Sequence, residues 1–571
     1  MNSPRPLLAG LLVLAASLVP ARTHAWPAHP DSGGVPVSVA PMSQWFPAIE
    51  SDGAGGLFAV WRDDRPTATL AGNTDVYAQR LTALGAPVWA ANGAPVCTDL
   101  SAQDRPALCA DGAGGIFAAW TDARGADADV WAQHLSPTAQ RQWFANGLRV
   151  SRDAGAEDNV CVVPSGAGCI VVWQHTNASS PYAPRLFAQR FDAAGANLWT
   201  YGGAAVPGPG LDQQQPAAVS DGADGVIVAW VQPGAPRVIR AQRLSAAGAA
   251  LWGTSLAVSD STLAHSSTFW LRADGAGGAW IVVHDNSLLT TPWARHLDGS
   301  GNVLAAVALL PAASGAWVVN ACAADAAGRL FALATNGNME VVQRVQSAGA
   351  LDWTPHGLPV SDYDLHRLVC FTIAPEGLGG AIVVGTATDT LTGYREVRAQ
   401  HVLDDGSAAW NIRGVTLATA FTGAARTPLL APSGHGAIAL WPDERAYAAN
   451  WLDLYAQRID ASGLLGSPQL GVPGGELAAL ALAPPAPNPA RGGAAVTLAF
   501  ALPEAGRASL AVYDVSGRRV RALLDGTLPA GLQRVAWDRR DDDGRAVHAG
   551  VYFVRVEHAG AAITRRIVAL E

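Results

Sequence analysis

The chain has 571 residues, 49% of them hydrophobic and 15% charged, with a formal net charge of -9. Such a composition can bury a large core and excludes an intrinsically disordered chain. The acidic balance excludes a general nucleic-acid binder, which needs a basic face.

In chain order, the first 25 residues read as a secretory signal. Arg5 gives the positive start, positions 7–19 form an apolar run too short to span a bilayer, and Thr23-His24-Ala25 is a small-residue cleavage site. The mature protein is expected to begin at Trp26, exported and without a transmembrane segment.

From there the sequence repeats itself. Residues 48–89 spell A-I-E-S-D-G-A-G-G-L-F-A-V-W-R-D-D-R, then D-V-Y-A-Q-R-L, and close on Trp89. Residues 107–143 spell A-L-C-A-D-G-A-G-G-I-F-A-A-W-T-D-A-R, then D-V-W-A-Q-H-L, and close on Trp143. A period of about fifty residues marks a repeat architecture. Each copy reads as four short strands: in the second, 106–110, 115–121, 129–135 and 147–151, punctuated by Asp-Gly turns. The turns recur near Asp52, Asp111, Ser165, Asp221, Asp274, Asp325, Glu376 and Ser433. Third-strand marks recur at Arg80, His134, Arg190, Arg243, His296, Arg344, His401 and Arg458. That predicts an all-β chain with an eight-bladed β-propeller over 26–471, a seven-bladed one being the alternative. Gly34-Val35-Pro36-Val37 aligns with Gly93-Ala94-Pro95-Val96, a fourth strand, so an orphan fourth strand at the start is expected to pair into the last blade.

Positions 472–493, rich in Gly and Pro, read as a semi-rigid linker. The remainder, 494–571, reads as a small immunoglobulin-like β-sandwich. From Ala486 onward 12 Arg face 9 acidic residues, so the negative charge belongs to the repeats. The motifs Asn488-Pro489, L-A-V-Y-D-V-S-G-R-R-V-R (510–521), Trp537-Asp538, D-D-G (542–544) and A-G-V-Y-F-V-R (549–555) carry a resemblance. This part resembles the flagellar-hook-capping-protein-like (FlgD-like) immunoglobulin domain, which overlaps with the C-terminal sorting domain of type IX secretion cargo. The resemblance implies passage across an outer membrane through secretion machinery, and surface attachment of a Gram-negative-type cell.

The most suggestive polar recurrence is W-x-D-x-R: Trp61, Asp63, Arg65; Trp120, Asp122, Arg124; Trp441, Asp443, Arg445. It follows the second strand, and loops after the fourth strand add Asp104 and Arg105 to the same face. These eight Asp and Arg residues are the candidate ligand-binding set, fitting a polyol or glycan. Recurrence at equivalent positions argues the other way, that each Asp-Arg pair braces its own loop. The recurring Trp89, Trp143, Trp199, Trp252, Trp353 and Trp410 read as packing between blades. One carboxylate per Asp-Gly turn falls short of the roughly six to eight oxygens that calcium takes. No zinc, nucleophile-elbow, phosphate-loop or C-x-x-C motif is present, so no cofactor, metal or catalytic residue is assigned. Cys161 with Cys169, Cys97 with Cys109 and Cys322 with Cys370 are possible pairs, free buried thiols the alternative. The expectation is a non-enzymatic surface or secreted binding protein for a glycan or another surface protein. The alternatives are an extracellular glycosidase or lyase using carboxylates among Asp63, Asp104 and Asp122, and a structural envelope protein.

Overall fold

The computed structural model describes residues 26–66, 73–151, 154–177, 183–210, 212–234, 237–259, 268–284, 291–311, 317–337, 339–361, 366–389, 395–410, 414–421, 427–446, 450–466, 480–482, 485, 490, 496–528 and 531–570. The signal reading of 1–25 lies outside the described residues. Helix is almost absent from the rest: one 3-10 turn, Pro30–Ser32, is described.

Among the described residues of 35–460, eight four-stranded antiparallel sheets follow one another along the chain. Sheet one comprises Gln44–Ser51, Leu57–Asp63, Asp75–Leu81 and Ala94–Cys97; sheet two comprises Gln103–Ala110, Ile116–Asp122, Asp129–Leu135 and Leu148–Arg149. The expected first strand of sheet two thus starts three residues too late, and its fourth strand is two residues rather than five. The turn chemistry explains the first hairpin. Asp52 Oδ1 accepts the N–H groups of Ala54 (2.8 Å) and Gly56 (2.6 Å), and Gly53 takes φ 72° without a Cβ penalty. Second strands such as Leu57–Asp63 are buried on both faces, so they read as continuous apolar runs rather than alternating ones.

Strand Val35–Ser38 pairs antiparallel with Asp453–Asp460, completing the sheet built from Leu429–Pro432, Gly436–Asp443 and Asp453–Asp460. The orphan strand is therefore seated as expected.

The apolar cores lie between successive sheets rather than within one. Phe58 and Val60 of sheet one share a cluster with Ile116 and Trp120 of sheet two. Ile438, Leu440 and Leu454 of the last sheet share one with Leu57, Ala59 and Trp61 of the first. Two polar devices recur at these seams. The indole N–H of Trp89 donates to Pro137 O (2.9 Å), Trp143 to Ala193 O (2.9 Å), Trp199 to Ala246 O (2.8 Å) and Trp252 to Gly299 O (3.1 Å). Each acceptor belongs to the next repeat, so the packing role read for these Trp residues holds. The third-strand cations do likewise: Arg80 pairs with Asp52 (3.0 Å) and donates to Gly114 O (3.1 Å), while Arg243 pairs with Asp221 (2.9 Å) and donates to Gly299 O (2.6 Å). His134 and His296 bond Asp111 (3.0 Å) and Asp274 (2.9 Å) in the same way.

The C-terminal unit is a sandwich of two sheets. One holds Ala481–Leu482, Val496–Leu502 and Gly531–Trp537; the other runs in the order Arg519–Leu528, Gly506–Asp514, Gly550–His558, Ala561–Ala569. Leu498, Phe500, Leu510, Val512, Trp537 and Val554 fill its core. Residues 480–482 and 490 fall in the stretch expected as linker, yet they belong to this sandwich. Leu482 and Ala490 are buried in this core, and Ala490 N–H donates to Val568 O (2.8 Å). Alternating Leu before the prolines is what a strand needs, and Pro density alone misplaces it.

Cys97, Cys109, Cys161, Cys169 and Cys322 are free thiols. Cys161 stands opposite Val172 and Cys169 opposite Pro164, so the hairpin register keeps that expected pair apart. The side chain of Cys370 lies outside the described residues.

Candidate functional site

The W-x-D-x-R triplets form closed braces. Asp63 is fully buried; its Oδ2 accepts the Trp61 indole N–H (2.8 Å) and Arg65 Nη2 (2.6 Å), and its Oδ1 accepts Arg65 Nε (2.7 Å). Arg65 also donates to Asn92 O (2.6 Å) and stacks 3.8 Å from the Tyr77 ring centroid. Asp122 with Trp120 and Arg124 repeats this geometry, with Arg124 3.6 Å over Trp131 and bonded to Asn146 O (3.0 Å). Asp443 with Trp441 and Arg445 does so again, with Arg445 3.7 Å over Tyr455 and bonded to Gly33 O (2.8 Å). An Arg–carboxylate pair stacked on an aromatic ring, bidentate for Arg65 and Arg124 and through Nη2 for Arg445, locks the loop that follows these three second strands.

The braces hold a second carboxylate that the sequence reading missed. Asp75 lies opposite Asp63, Asp129 opposite Asp122, and Asp453 opposite Asp443 across the same strand pair. Burial pushes the Asp75 carboxyl up to about 6, helped by repulsion from Asp63 and Asp99 and opposed by Arg65. Burial does the same to Asp453, also to about 6, with a hydrogen bond from Asn450 opposing.

Asp104 and Arg105 stand apart from the braces. They lie not in a loop but inside the first strand of sheet two, with 40% and 62% of their side chains exposed. Arg105 adopts φ 48°, and the ladder shifts register between Asp104 and Ala107. The same bulge occurs at Phe46 (φ 50°), Asn159 (φ 51°) and Gln215 (φ 53°), at the start of the first strands of sheets one, three and four. Sheet three consists of Ala156–Ser165, Gly168–Thr176, Arg185–Phe191 and Ala204–Ala205, and sheet four begins with Gln214–Ser220. The sequence signal for this element is Q-x-x-P at 44–47, 103–106 and 213–216, with E-D-N-V at 157–160. Proline is tolerated there because a bulge leaves its residue out of the ladder.

The frame of that element is constant and its tip is not. The first residue is buried each time, and its backbone N–H donates to a carbonyl of the adjoining sheet: Gln44 to Leu452 (3.0 Å), Gln103 to Thr74 (2.9 Å), Glu157 to Ala128 (2.8 Å) and Gln213 to Pro184 (2.7 Å). Glu157 stands where the others have Gln, and its carboxylate bonds Ser151 (2.9 Å) and His175 (2.7 Å). Burial still raises it to about 7 against those two bonds. The two residues that follow differ from sheet to sheet: Trp45-Phe46, Asp104-Arg105, Asp158-Asn159 and Gln214-Gln215. First strands of successive sheets touch, so the four tips stand side by side along one row. A fixed frame with variable tips is how repeat scaffolds present a binding surface.

Comparison with known proteins bears on the C-terminal unit first. Residues 486–561 match the family model of the FlgD Ig-like domain, as the motifs there implied. No curated protein sequence matches the chain. Among solved structures, the chain is similar to PorZ, a surface component of the type-IX secretion system of Porphyromonas gingivalis, at 15% identity and TM-score 0.36, covering 91% of this chain and 69% of that one. It is also similar to puromycin hydrolase (13%, TM-score 0.37, 84% of this chain and 61% of that one). A third is prolyl oligopeptidase B from Galerina marginata (9%, TM-score 0.40, 70% and 55%). The chain thus spans less than two thirds of either hydrolase. None of the three likenesses carries an activity from one protein to another. Among the described residues no helix is long and apolar enough to cross a membrane.

Proposed function

We propose that this is an exported, non-enzymatic binding protein that meets its ligand through the row of bulge tips. In this reading the eight sheets are blades of a closed ring, and the C-terminal sandwich directs sorting and surface attachment through outer-membrane secretion machinery. The observation that carries the binding role is the constant buried frame under four unlike tips, of which Phe46, Arg105 and Gln215 are exposed and Asp158-Asn159 partly buried. Asp63, Asp122 and Asp443, with Arg65, Arg124 and Arg445, hold the neighbouring loops in place, while Asp104 and Arg105 meet the ligand. A hydrolytic pair built on Asp63 and Asp122 finds no support, because both oxygens of each are occupied by guanidinium and indole donors. Closure of the ring is supported by the strand Val35–Ser38 in the last sheet and by the core shared between the last and first sheets.

Two experiments test this. Alanine replacement of the tip pairs, one sheet at a time, is expected to weaken ligand capture at least tenfold for one pair or more without moving the melting temperature. Capture unchanged in all four variants overturns the binding role. Removing 480–571, the whole sandwich, is expected to leave the repeats folded and retained in the periplasm; normal export of that chain overturns the sorting role.

A further inference from the structure

One sector of this face differs from the rest in the side chains that its left-handed residues carry. Around the junction of the last sheet with sheet one, apolar side chains sit on left-handed backbone and face solvent. Met42 has φ 69° and is 39% exposed, Phe46 has φ 50° and is 49% exposed, and Trp451 has φ 67° and is 50% exposed. Each such conformation costs about 1–2 kcal/mol in an L-residue, and exposing the ring forfeits the burial that would offset it. Strain of this kind, held by its surroundings, clusters where ligands bind. The surroundings are specific. The Gln44 N–H donates to Leu452 O (3.0 Å) and the Asp64 N–H to Ser43 O (2.9 Å), fixing the two segments against each other. Trp45 and Phe46 stand 6.3 Å apart, tilted by 38°.

Beside these rings lies a balanced set of charges. The Arg62 guanidinium stands 5.5 Å from the Phe46 ring centroid, between Asp64 (3.1 Å) and Asp104 (3.3 Å), and Arg105 lies 3.9 Å from Asp104. Two guanidinium groups and two carboxylates sum to zero, so the sector attracts neither a polyanion nor a basic segment. What they offer instead is adjacent donors and acceptors beside an apolar aromatic surface. A pyranose ring has that same division: one face of C–H groups that packs on an aromatic plane, and a rim of hydroxyls that both donate and accept.

We infer that Trp45, Phe46 and Trp451, with Arg62, Asp104 and Arg105, form a subsite for an uncharged saccharide. Among the four described tips only Trp45-Phe46 carries aromatic rings. The inference rests on the proposed binding role of this face and names its ligand class.

The test uses the full mature chain with four probes in parallel: mannan and dextran as neutral polysaccharides, polygalacturonate as an acidic one, and denatured casein as a peptide. The expected result is retention on a neutral polysaccharide, weakened at least tenfold by Trp45→Ala or Phe46→Ala and less than twofold by Gln215→Ala. Phe46→Gly guards against misfolding: glycine relieves the left-handed strain, so the melting temperature should hold or rise while binding falls. Preference for polygalacturonate or casein, or no retention on either neutral polymer, overturns the inference. Retention that survives both aromatic replacements but falls with Gln215→Ala also overturns it, while leaving the face as the binding surface. Retention that no tip variant alters overturns both.

Discussion

Asp75 shows how a single carboxyl in this fold sets a pH dependence. It is buried, faces Asp63, Arg65 and Asp99, and titrates near 6 rather than at the ordinary 3.8. A carboxyl with a raised folded-state pKa holds its proton more tightly when folded, so its stabilising contribution is full below about pH 4. It is lost as pH rises through the window up to about 6, after which the fold carries a buried charge with only one cation near it. Asp75→Asn keeps the shape and removes the titration. Its melting temperature relative to the parent is expected to climb between pH 4 and 6.5 and then level off; a difference independent of pH would refute the assignment. The carboxyl itself was invisible as a special residue in the sequence. D-V-Y, D-V-W and D-L-Y look like ordinary strand starts until the register places each Asp against another.

The turn between third and fourth strands is where the element scale is most legible. A left-handed residue recurs there under the flat face of a Trp from the preceding sheet: Gly195 beneath Trp143, Gly248 beneath Trp199 and Gly406 beneath Trp353. A methyl group at Gly195 would stand 3.0 Å from the Trp143 ring, so Gly195→Ala pays twice, in backbone strain and in overpacking. In sheet two the corresponding residue is Ala139, which keeps φ 61° at that cost. Ala139→Gly is therefore expected to stabilise the chain by up to about 1 kcal/mol, and Gly195→Ala to destabilise it by more than that, both read from chemical denaturation. Period, turns and packing Trp residues were all readable because each rests on local chemistry: φ > 0 for Gly, alternation for strands, a large ring at a fixed spacing. The bulge was not. Pro106 reads as a strand start, whereas in the folded chain it sits past a kink whose first residue is tied to the neighbouring sheet.

For the whole molecule, the start of the described chain is as much a part of the last repeat as its own strands are. The Trp26 indole N–H donates to Ala83 O (2.8 Å), its ring covers Gly85, and Gln457 donates to Pro27 O (2.7 Å). These are the contacts that Trp143 and Gln133 make within the chain elsewhere, to Ala193 O and Phe144 O. Trp26→Ala is expected to cost about 3–5 kcal/mol and to be felt across the repeats, since the seam between the last sheet and the first depends on it. A loss confined to fraying of 26–38, with the main transition unmoved, would contradict that coupling. Sequence by itself determined the all-β repeat, its punctuation, the returning first strand and the C-terminal module, because those follow from nearest-neighbour rules and a recurring period. Only the tertiary structure decided what the polar residues do. Whether an Asp braces, titrates or faces solvent depends on which strand lies opposite and whether a bulge turns it outward, and neither is a property of the residue or its neighbours in the chain.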